Sequence, residues 1–383
     1  MAETDKQSIP ENLTNGKKIL RVFDGFGDDV EDSFTRFFSD GAIDHDKKIA
    51  QLFESNGFEI TTGEFNRNNP LEIGISSDDE VKSRDQYLEA AQKVGIDMPK
   101  TYSPIDVLQT SDIIVAKVPE ADRGEMKYLL ETTDQKVKFI SWALLYQNIS
   151  TLPPNKMSQK KVLDIFFEKI SKGIFEDEKI DKDGRSWLDS WVFEEFIDTP
   201  GDFNSSIRVV VDAFGNFHYA QITKSQHVKN FETLLIPKGF TEKDLVSAGF
   251  DLTKLLTHPD SPFYLKSKNF MSNVAQGGRR ILLDGNSVKN IEDRELLIQL
   301  GFDPDRPLLS ADLLEKSKEI GKLYRKHYPH VGIDYLIQKG GKPFLLEINK
   351  GPHLSPQALG LTENTEPEDC ELELMRRIIS SLN

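Results

Sequence analysis

The chain has 383 residues, enough for two or three packed units of ordinary domain size. Hydrophobic residues make up 38% and charged residues 29%, the balance of a soluble globular protein, and no run approaches the ~20 apolar residues of a membrane span. A net charge of −15 argues against nucleic acid and anionic membranes as bulk partners, so any anionic ligand needs a local basic cluster or a bound cation.

Residues 1–18 are polar and acidic, with no apolar core of a signal peptide, and are expected to be a loose tail. The single cysteine, Cys370, allows no intrachain disulfide and suits a reducing cytosol. Residues 17–25 read as a short buried strand; residues 26–43, rich in Asp and Phe, are not placed. A helix is expected over 45–56, with Asp44 as N-cap and Gly57 as its stop, then a strand over 58–64. Helical spacing returns over 85–94, with Leu88, Ala91 and Val94 on one side and Gly95 beyond. Strands are expected over 112–119 and 136–142, an amphipathic helix over 155–172, and an acidic loop over 175–184. Residues 191–197 form an apolar strand interrupted by Glu194 and Glu195. A hairpin spans 207–212 and 217–223, Ser310 caps a helix over 311–327, and a last hairpin spans 332–350. Mixed strands and helices with late antiparallel hairpins predict α+β layers rather than a doubly wound sheet.

The last hairpin is the most informative stretch. If Gly340-Gly341 is a two-residue loop, Lys339 faces Lys342 and Asp334 falls opposite Glu347, with Asn349 on the same face. Facing carboxylates repel unless a cation sits between them, and an Asp, Glu and Asn oxygen set suits Mg²⁺. The other reading is an ordinary amphipathic hairpin with its polar face in water. Lys117 interrupts an apolar strand, which suits a phosphate contact or a snorkelling edge lysine. Glu194-Glu195-Phe196-Ile197 offers backbone groups as a strand leaves its apolar run. Arg208 opens a strand, Lys224 ends the next, and Arg279-Arg280 follow two glycines, as suits close approach to a phosphate or a solvated turn. Walker A, GxGxxG, HExxH and GxSxG patterns are absent.

Taken in order, Ser83-Arg84-Asp85, Gly95-Ile96-Asp97-Met98-Pro99, the Lys117 strand, Glu194 to Ile197, Ile207-Arg208, Asn273 to Gly278, Gly332-Ile333-Asp334 and Glu347-Ile348-Asn349 resemble the ATP-grasp superfamily, in its branch of ribosomal-protein glutamate ligases and glutathione synthetase-like enzymes. The resemblance runs from about 83 to 352. It implies a fold of two α+β subdomains clasping a nucleotide, after an N-terminal α/β domain: a tail over 1–18, that domain over 19–100, a lid subdomain over 101–200, and a large subdomain over 201–383 with an insertion at 225–270. It implies Mg²⁺ at Asp334, Glu347 and Asn349, ATP phosphates at Lys117 with Asn273 nearby, adenine along Glu194, Glu195, Phe196 and Ile197, and ribose at Asp198 or Asp202. Arg208 and Arg279 would be catalytic, stabilising the transferred phosphoryl group and the substrate carboxylate. The implied activity is cytoplasmic, Mg-ATP-dependent joining of a small-molecule or peptide carboxylate to an amine through an acyl-phosphate, with a homodimer allowed. Gln86 stands where members usually carry a lysine, and the stretch 120–127 has one glycine where theirs is often glycine-rich. Alternatives are a small-molecule kinase of the inositol-phosphate type and a degenerate nucleotide-binding scaffold.

Overall fold

A computed structural model describes residues 17–23, 44–62, 64–76, 84–117, 127–137, 139–140, 191–229, 232–233, 246, 267–268, 278–283, 291–350, 352 and 354–382. The expected tail up to residue 16, the loop at 26–43, the helix at 155–172, the acidic loop at 175–184, most of the 225–270 insertion and Asn273 lie outside the described residues.

The architecture is α+β. The first unit contains β1 (Ile19–Phe23), α1 (Asp44–Ser55), β2 (Glu59–Thr61) and β3 (Glu72–Ser76), with the strands parallel in the order β2-β1-β3. Helix α1 ends where expected. Gly57 takes φ 86°, a conformation costly for other residues, and lets the Phe58 amide return to the Phe53 carbonyl at 3.2 Å. That return stacks the two rings edge to face at 4.8 Å. Strand β3 was not anticipated, because it opens on a glutamate; Glu72 is buried and accepts from Arg21 Nε at 2.5 Å.

The second unit holds α2 (Arg84–Val94), β4 (Thr101–Tyr102), α3 (Pro104–Gln109), β5 (Ile114–Lys117), β6 (Lys127–Leu130) and β7 (Val192–Glu195). Its sheet has the order β4-β7-β5-β6, with antiparallel pairs. The expected strand over 136–142 is corrected: residues 133–137 and 139–140 are helical. Thr132 Oγ1 accepts from the Gln135 amide at 3.2 Å, and Gln135 Oε1 accepts from the Thr132 amide at 3.0 Å. This reciprocal cap starts a helix that the β-branched and aromatic residues beyond it disguise. Along α2 the buried residues are Ala90 and Ala91, with Tyr87 and Val94 packed beside them, while Leu88 is exposed. The inward stripe is thus rotated from the expected one.

The third unit contains β8 (Phe203–Asp212), β9 (Phe217–Val228), β10 (Glu232–Thr233), β11 (Ser267–Lys268), β12 (Arg279–Leu283), α4 (Ile291–Gln299), α5 (Ala311–Leu323) with a 3-10 turn at Tyr324–Lys326, β13 (His330–Ile337), β14 (Pro343–Lys350) and α6 (Pro367–Ser381). Its main sheet has the order β12-β9-β8-β13-β14, and all its pairs are antiparallel. Ser310 caps α5 as expected, its Oγ accepting from the Leu313 amide at 3.1 Å.

Among the described residues, two apolar cores flank the main sheet. One packs α2, α4 and α5 on the sheet face that carries Ile207, Val209, Ile222 and Ile333. The other joins the first unit to α6 through Phe53, Leu374, Met375 and Ile378, and reaches Val210 and Tyr219 on the opposite sheet face. Cys370 is buried in this second core. The helices therefore cover one face of the main sheet, and part of the other remains for polar groups.

Candidate functional site

Strand pairing lines up five residues straight across the main sheet. Leu282 faces Gln221, Gln221 faces Arg208, Arg208 faces Asp334 and Asp334 faces Glu347. Residues directly opposite in an antiparallel pair share a face, so this row lies on the face turned away from α2, α4 and α5. Gly332 pairs with Asn349 on the same face.

The facing of Asp334 and Glu347 agrees with expectation, but the route to it does not. The loop is three residues long, not two: Ile337 pairs with Pro343, and the Gln338 amide donates to the Lys342 carbonyl at 2.8 Å. Gly340 (φ 118°) and Gly341 (φ 92°) provide the left-handed turn. The register is then one residue out. A bulge between Tyr335–Leu345 and Asp334–Glu347 leaves Leu346 unpaired and brings the carboxylates back into opposition.

Arg208 binds Asp334 with both ends of its fork, Nε to Oδ1 at 2.7 Å and a terminal N–H to Oδ2 at 2.6 Å. Asn349 Nδ2 donates to Asp334 Oδ2 at 3.0 Å and to Glu347 Oε1 at 3.1 Å. Burial pushes the Asp334 carboxyl up to about 6 against the opposing pull of Arg208, and the Glu347 charge and a hydrogen bond shared with Glu347 push the same way. Burial alone would lower the Arg208 guanidinium, but the charge and hydrogen bonds of Asp334 outweigh it and raise it. A Cβ on Gly332 would sit 2.6 Å from Pro352 Cβ and 3.3 Å from Arg208 Cδ, so glycine there leaves room for the arginine shaft.

The adjacent arginines part company. Arg279 points away from this row, half exposed, and pairs with Asp293 at 3.0 Å and Glu292 at 3.7 Å. Arg280, one residue on, takes the same sheet face as the row. Its Nε is buried with no hydrogen-bond partner among the described residues, and burial, then the nearby Arg208 charge, lower its guanidinium. A buried, unsatisfied cationic donor beside a second arginine suits an anion. The structure thus offers Arg280 where the sequence singled out Arg279. If the row acts on an anionic substrate, Arg280→Ala is expected to lower kcat/KM about 10²-fold and Arg279→Ala less than about twofold, measured by steady-state kinetics. Equal effects would sink the assignment.

A second charged cluster lies in the other sheet. Glu194 is buried, and Lys117 Nζ meets its Oε2 at 2.6 Å. Arg84, at the start of α2, pairs with its other oxygen and also donates to the Pro99 carbonyl at 2.9 Å and Thr101 Oγ1 at 3.0 Å. Two cations thus share one carboxylate. Arg84 was missed as a site residue; its partner Glu194 lies 110 residues away in the chain, and nothing local pairs them.

The amides of Glu195 and Phe196 already donate to the carbonyls of Lys100 (2.8 Å) and Ile113 (2.9 Å), and Ile197 is buried. Asp202 is exposed, and its backbone bonds to Gln299 and Lys229. The Asp198 carboxylate pairs with Lys229 Nζ at 2.7 Å. The two sheets meet along the last hairpin, where the Lys339 amide donates to the Asp198 carbonyl and the Leu345 amide to the Asp97 carbonyl, each at 2.8 Å.

No family model matches the chain, and neither does any curated protein. Among solved structures it is similar to a Chryseobacterium gregarium RiPP-associated ATP-grasp ligase in complex with ADP and a leader and core peptide (12% identity, 95% of this chain and 97% of that one, TM-score 0.37). It is also similar to macrocyclase MdnC of Microcystis aeruginosa bound with a precursor peptide (12%, 80% and 65%, TM-score 0.34). A third is the biotin carboxylase domain of Hydrogenobacter thermophilus 2-oxoglutarate carboxylase with MgADP and bicarbonate (11%, 88% and 56%, TM-score 0.36). Among the described residues no helix is long and apolar enough to cross a membrane.

Proposed function

We propose that the chain is a cytoplasmic ATP-grasp enzyme that uses Mg-ATP to join a carboxylate to an amine, forming an amide and releasing ADP and phosphate. The observation that carries the reading is the Arg208–Asp334–Glu347 row with Asn349 beside it. Two carboxylates face each other there with one guanidinium on Asp334, and a divalent cation would offset the repulsion that remains.

The donor set fits Mg²⁺. Asp334 and Glu347 are hard oxygen ligands, and a half-turn of the Asn349 amide presents its oxygen in place of the N–H groups. The ion, when bound, neutralises charge on phosphoryl oxygens and on the carboxylate pair. Arg208 and Arg280 hold the transferred phosphoryl group from the same sheet face, and Lys117 contacts the remaining phosphates. A substrate carboxylate oxygen attacks the γ-phosphorus as ADP leaves; the amine nitrogen then attacks the acyl carbon, phosphate departs and the amine loses a proton. Positioning and fixed positive charge supply the catalysis. Arg84 beside Lys117 offsets the lysine replaced by Gln86. The substrates are small-molecule or peptide acids and amines.

The test is ADP release with Mg²⁺ against pooled amino acids and peptides. Release that needs both an acid and an amine supports ligation. A product that is only phosphorylated moves the reading to a kinase, and absence of nucleotide binding moves it to a scaffold.

Metal affinity should also follow pH. Asp334 sits at about 6 without metal, above its ordinary carboxylate value, so the folded state binds a proton more tightly than the unfolded chain does. Metal-free stability therefore falls as pH rises from about 4 to about 6, by on the order of 2 kcal/mol. Mg²⁺ displaces that proton. Titration calorimetry at several pH values is expected to show affinity rising roughly tenfold per pH unit below about 6 and levelling above, with proton release in the lower range. Affinity independent of pH would place the metal elsewhere.

A further inference from the structure

A cavity of about 330 Å³ lies between residues 65–67, α2 and the C-terminal end of α5. It sits on the helix-covered side of the main sheet, away from the Arg208–Asp334–Glu347 row. Its charge is inverted relative to the molecule: the chain carries −15, yet Arg67, Lys93, Lys322, Arg325 and Lys326 line the cavity against one carboxylate, Glu89. Lys93 pairs with Glu89 at 2.6 Å and Lys322 with Glu319 at 2.6 Å, so the positive excess rests on Arg67, Arg325 and Lys326.

A helix C-terminus attracts cations, which accounts for Lys322 and Lys326 at the end of α5 and for Lys93 in the last turn of α2, but not for Arg67, which lies on no helix. Arg325 is held rigidly. Its terminal N–H groups donate to the carbonyls of Pro70 at 2.7 Å and Arg67 at 3.1 Å, and its guanidinium lies 5.6 Å from the Phe65 ring centroid. The second, independent observation is Tyr324. It lines the same cavity, is 5% exposed, and its buried hydroxyl has no hydrogen-bond partner among the described residues. An orphaned buried hydroxyl is unfavourable, and a bound acceptor removes that penalty.

We propose that this cavity binds a small organic phosphate, with the phosphate between Arg67 and Lys326, the Tyr324 hydroxyl donating to it, and the organic part against Phe65. The volume equals roughly ten water molecules, more than a lone phosphate fills. The site does not depend on the ligase reading.

The test is calorimetric titration of the full chain in Mg²⁺-free, EDTA-containing buffer with ribose 5-phosphate and with inorganic phosphate. Ribose 5-phosphate is expected to bind saturably with Kd at or below about 1 mM, and tighter than inorganic phosphate. The double variant Arg67→Ala/Lys326→Ala is expected to weaken it at least tenfold. Tyr324→Phe is expected to weaken it severalfold while leaving the ligand-free melting temperature at or above wild type, because the hydroxyl that it removes has no partner among the described residues. Arg280→Ala is expected to leave this binding intact. No saturable heat up to roughly 10 mM, equal or tighter binding of inorganic phosphate, unchanged affinity in both cavity variants, or loss of binding in Arg280→Ala would each overturn the proposal. A destabilised Tyr324→Phe would do so too, by showing that the hydroxyl has a structural partner.

Discussion

Glu347→Gln is expected to lower Mg²⁺-dependent ADP formation about 10³-fold without loss of stability. Glutamine keeps the shape and one carbonyl oxygen of glutamate but removes the charge that a divalent ion needs opposite Asp334. Removing it also relieves the repulsion between the facing carboxylates, so the metal-free variant should unfold at the same denaturant concentration as wild type or a higher one. Asp334 should then titrate lower, because Glu347 no longer pushes it up. A coupled ADP assay and a urea melt read the two halves of the claim. Activity within about threefold of wild type would sink the metal assignment, since charge stabilisation by a bound metal ion is worth several kcal/mol. Lost stability with intact activity would make Glu347 a structural residue.

Glu194→Ala is expected to be the most destabilising change in the second sheet. Glu194 is buried, and its carboxylate is the common partner of Lys117 and Arg84. Both cations are themselves largely covered, with 18% and 27% of their side chains exposed. Removing the anion takes from both cations the carboxylate they share, a loss of about 3–5 kcal/mol. The double variant Glu194→Ala/Lys117→Met should recover part of that, because one of the two covered cations goes with it. Chemical denaturation of the single and double variants decides the matter: a single-variant loss under about 1 kcal/mol would mean that solvent reaches the cluster freely. Sequence alone points to the backbone of Glu194. The structure gives its side chain the larger part, holding Lys117 in the strand before any phosphate arrives.

The legibility of this chain followed the range of the forces involved. Helix α1 with its Gly57 stop, the Ser310 cap of α5 and the β8–β9 hairpin were readable, because caps, turns and alternation act within a few residues. The helix beginning at Thr132 carried its own signal, a threonine followed by a glutamine three residues later, which the apolar residues beyond it outweighed. Strand β3 carried a short alternation of Leu71, Ile73 and Ile75 that the glutamate between them masked; Glu72 enters a buried strand because Arg21 of β1 and the Asn66 amide both meet it.

The candidate site divides in the same way. The opposition of Asp334 and Glu347 and the shared face of Asn349 were present in the residue order, since side chains alternate along any strand. Their survival required a longer turn and a bulge that cancel, and bulges are set by how a strand fits its neighbours on both sides. The choice between Arg279 and Arg280 was hidden because Ile281, Leu282 and Leu283 are all apolar, so alternation gave no preferred face until β9 fixed the register. The Glu194 cluster brings residues from α2, β5 and β7 together. Local geometry wrote which side chains share a strand face; long-range pairing chose the neighbours they meet, because partners distant in the chain become adjacent only when the sheets and helices have packed.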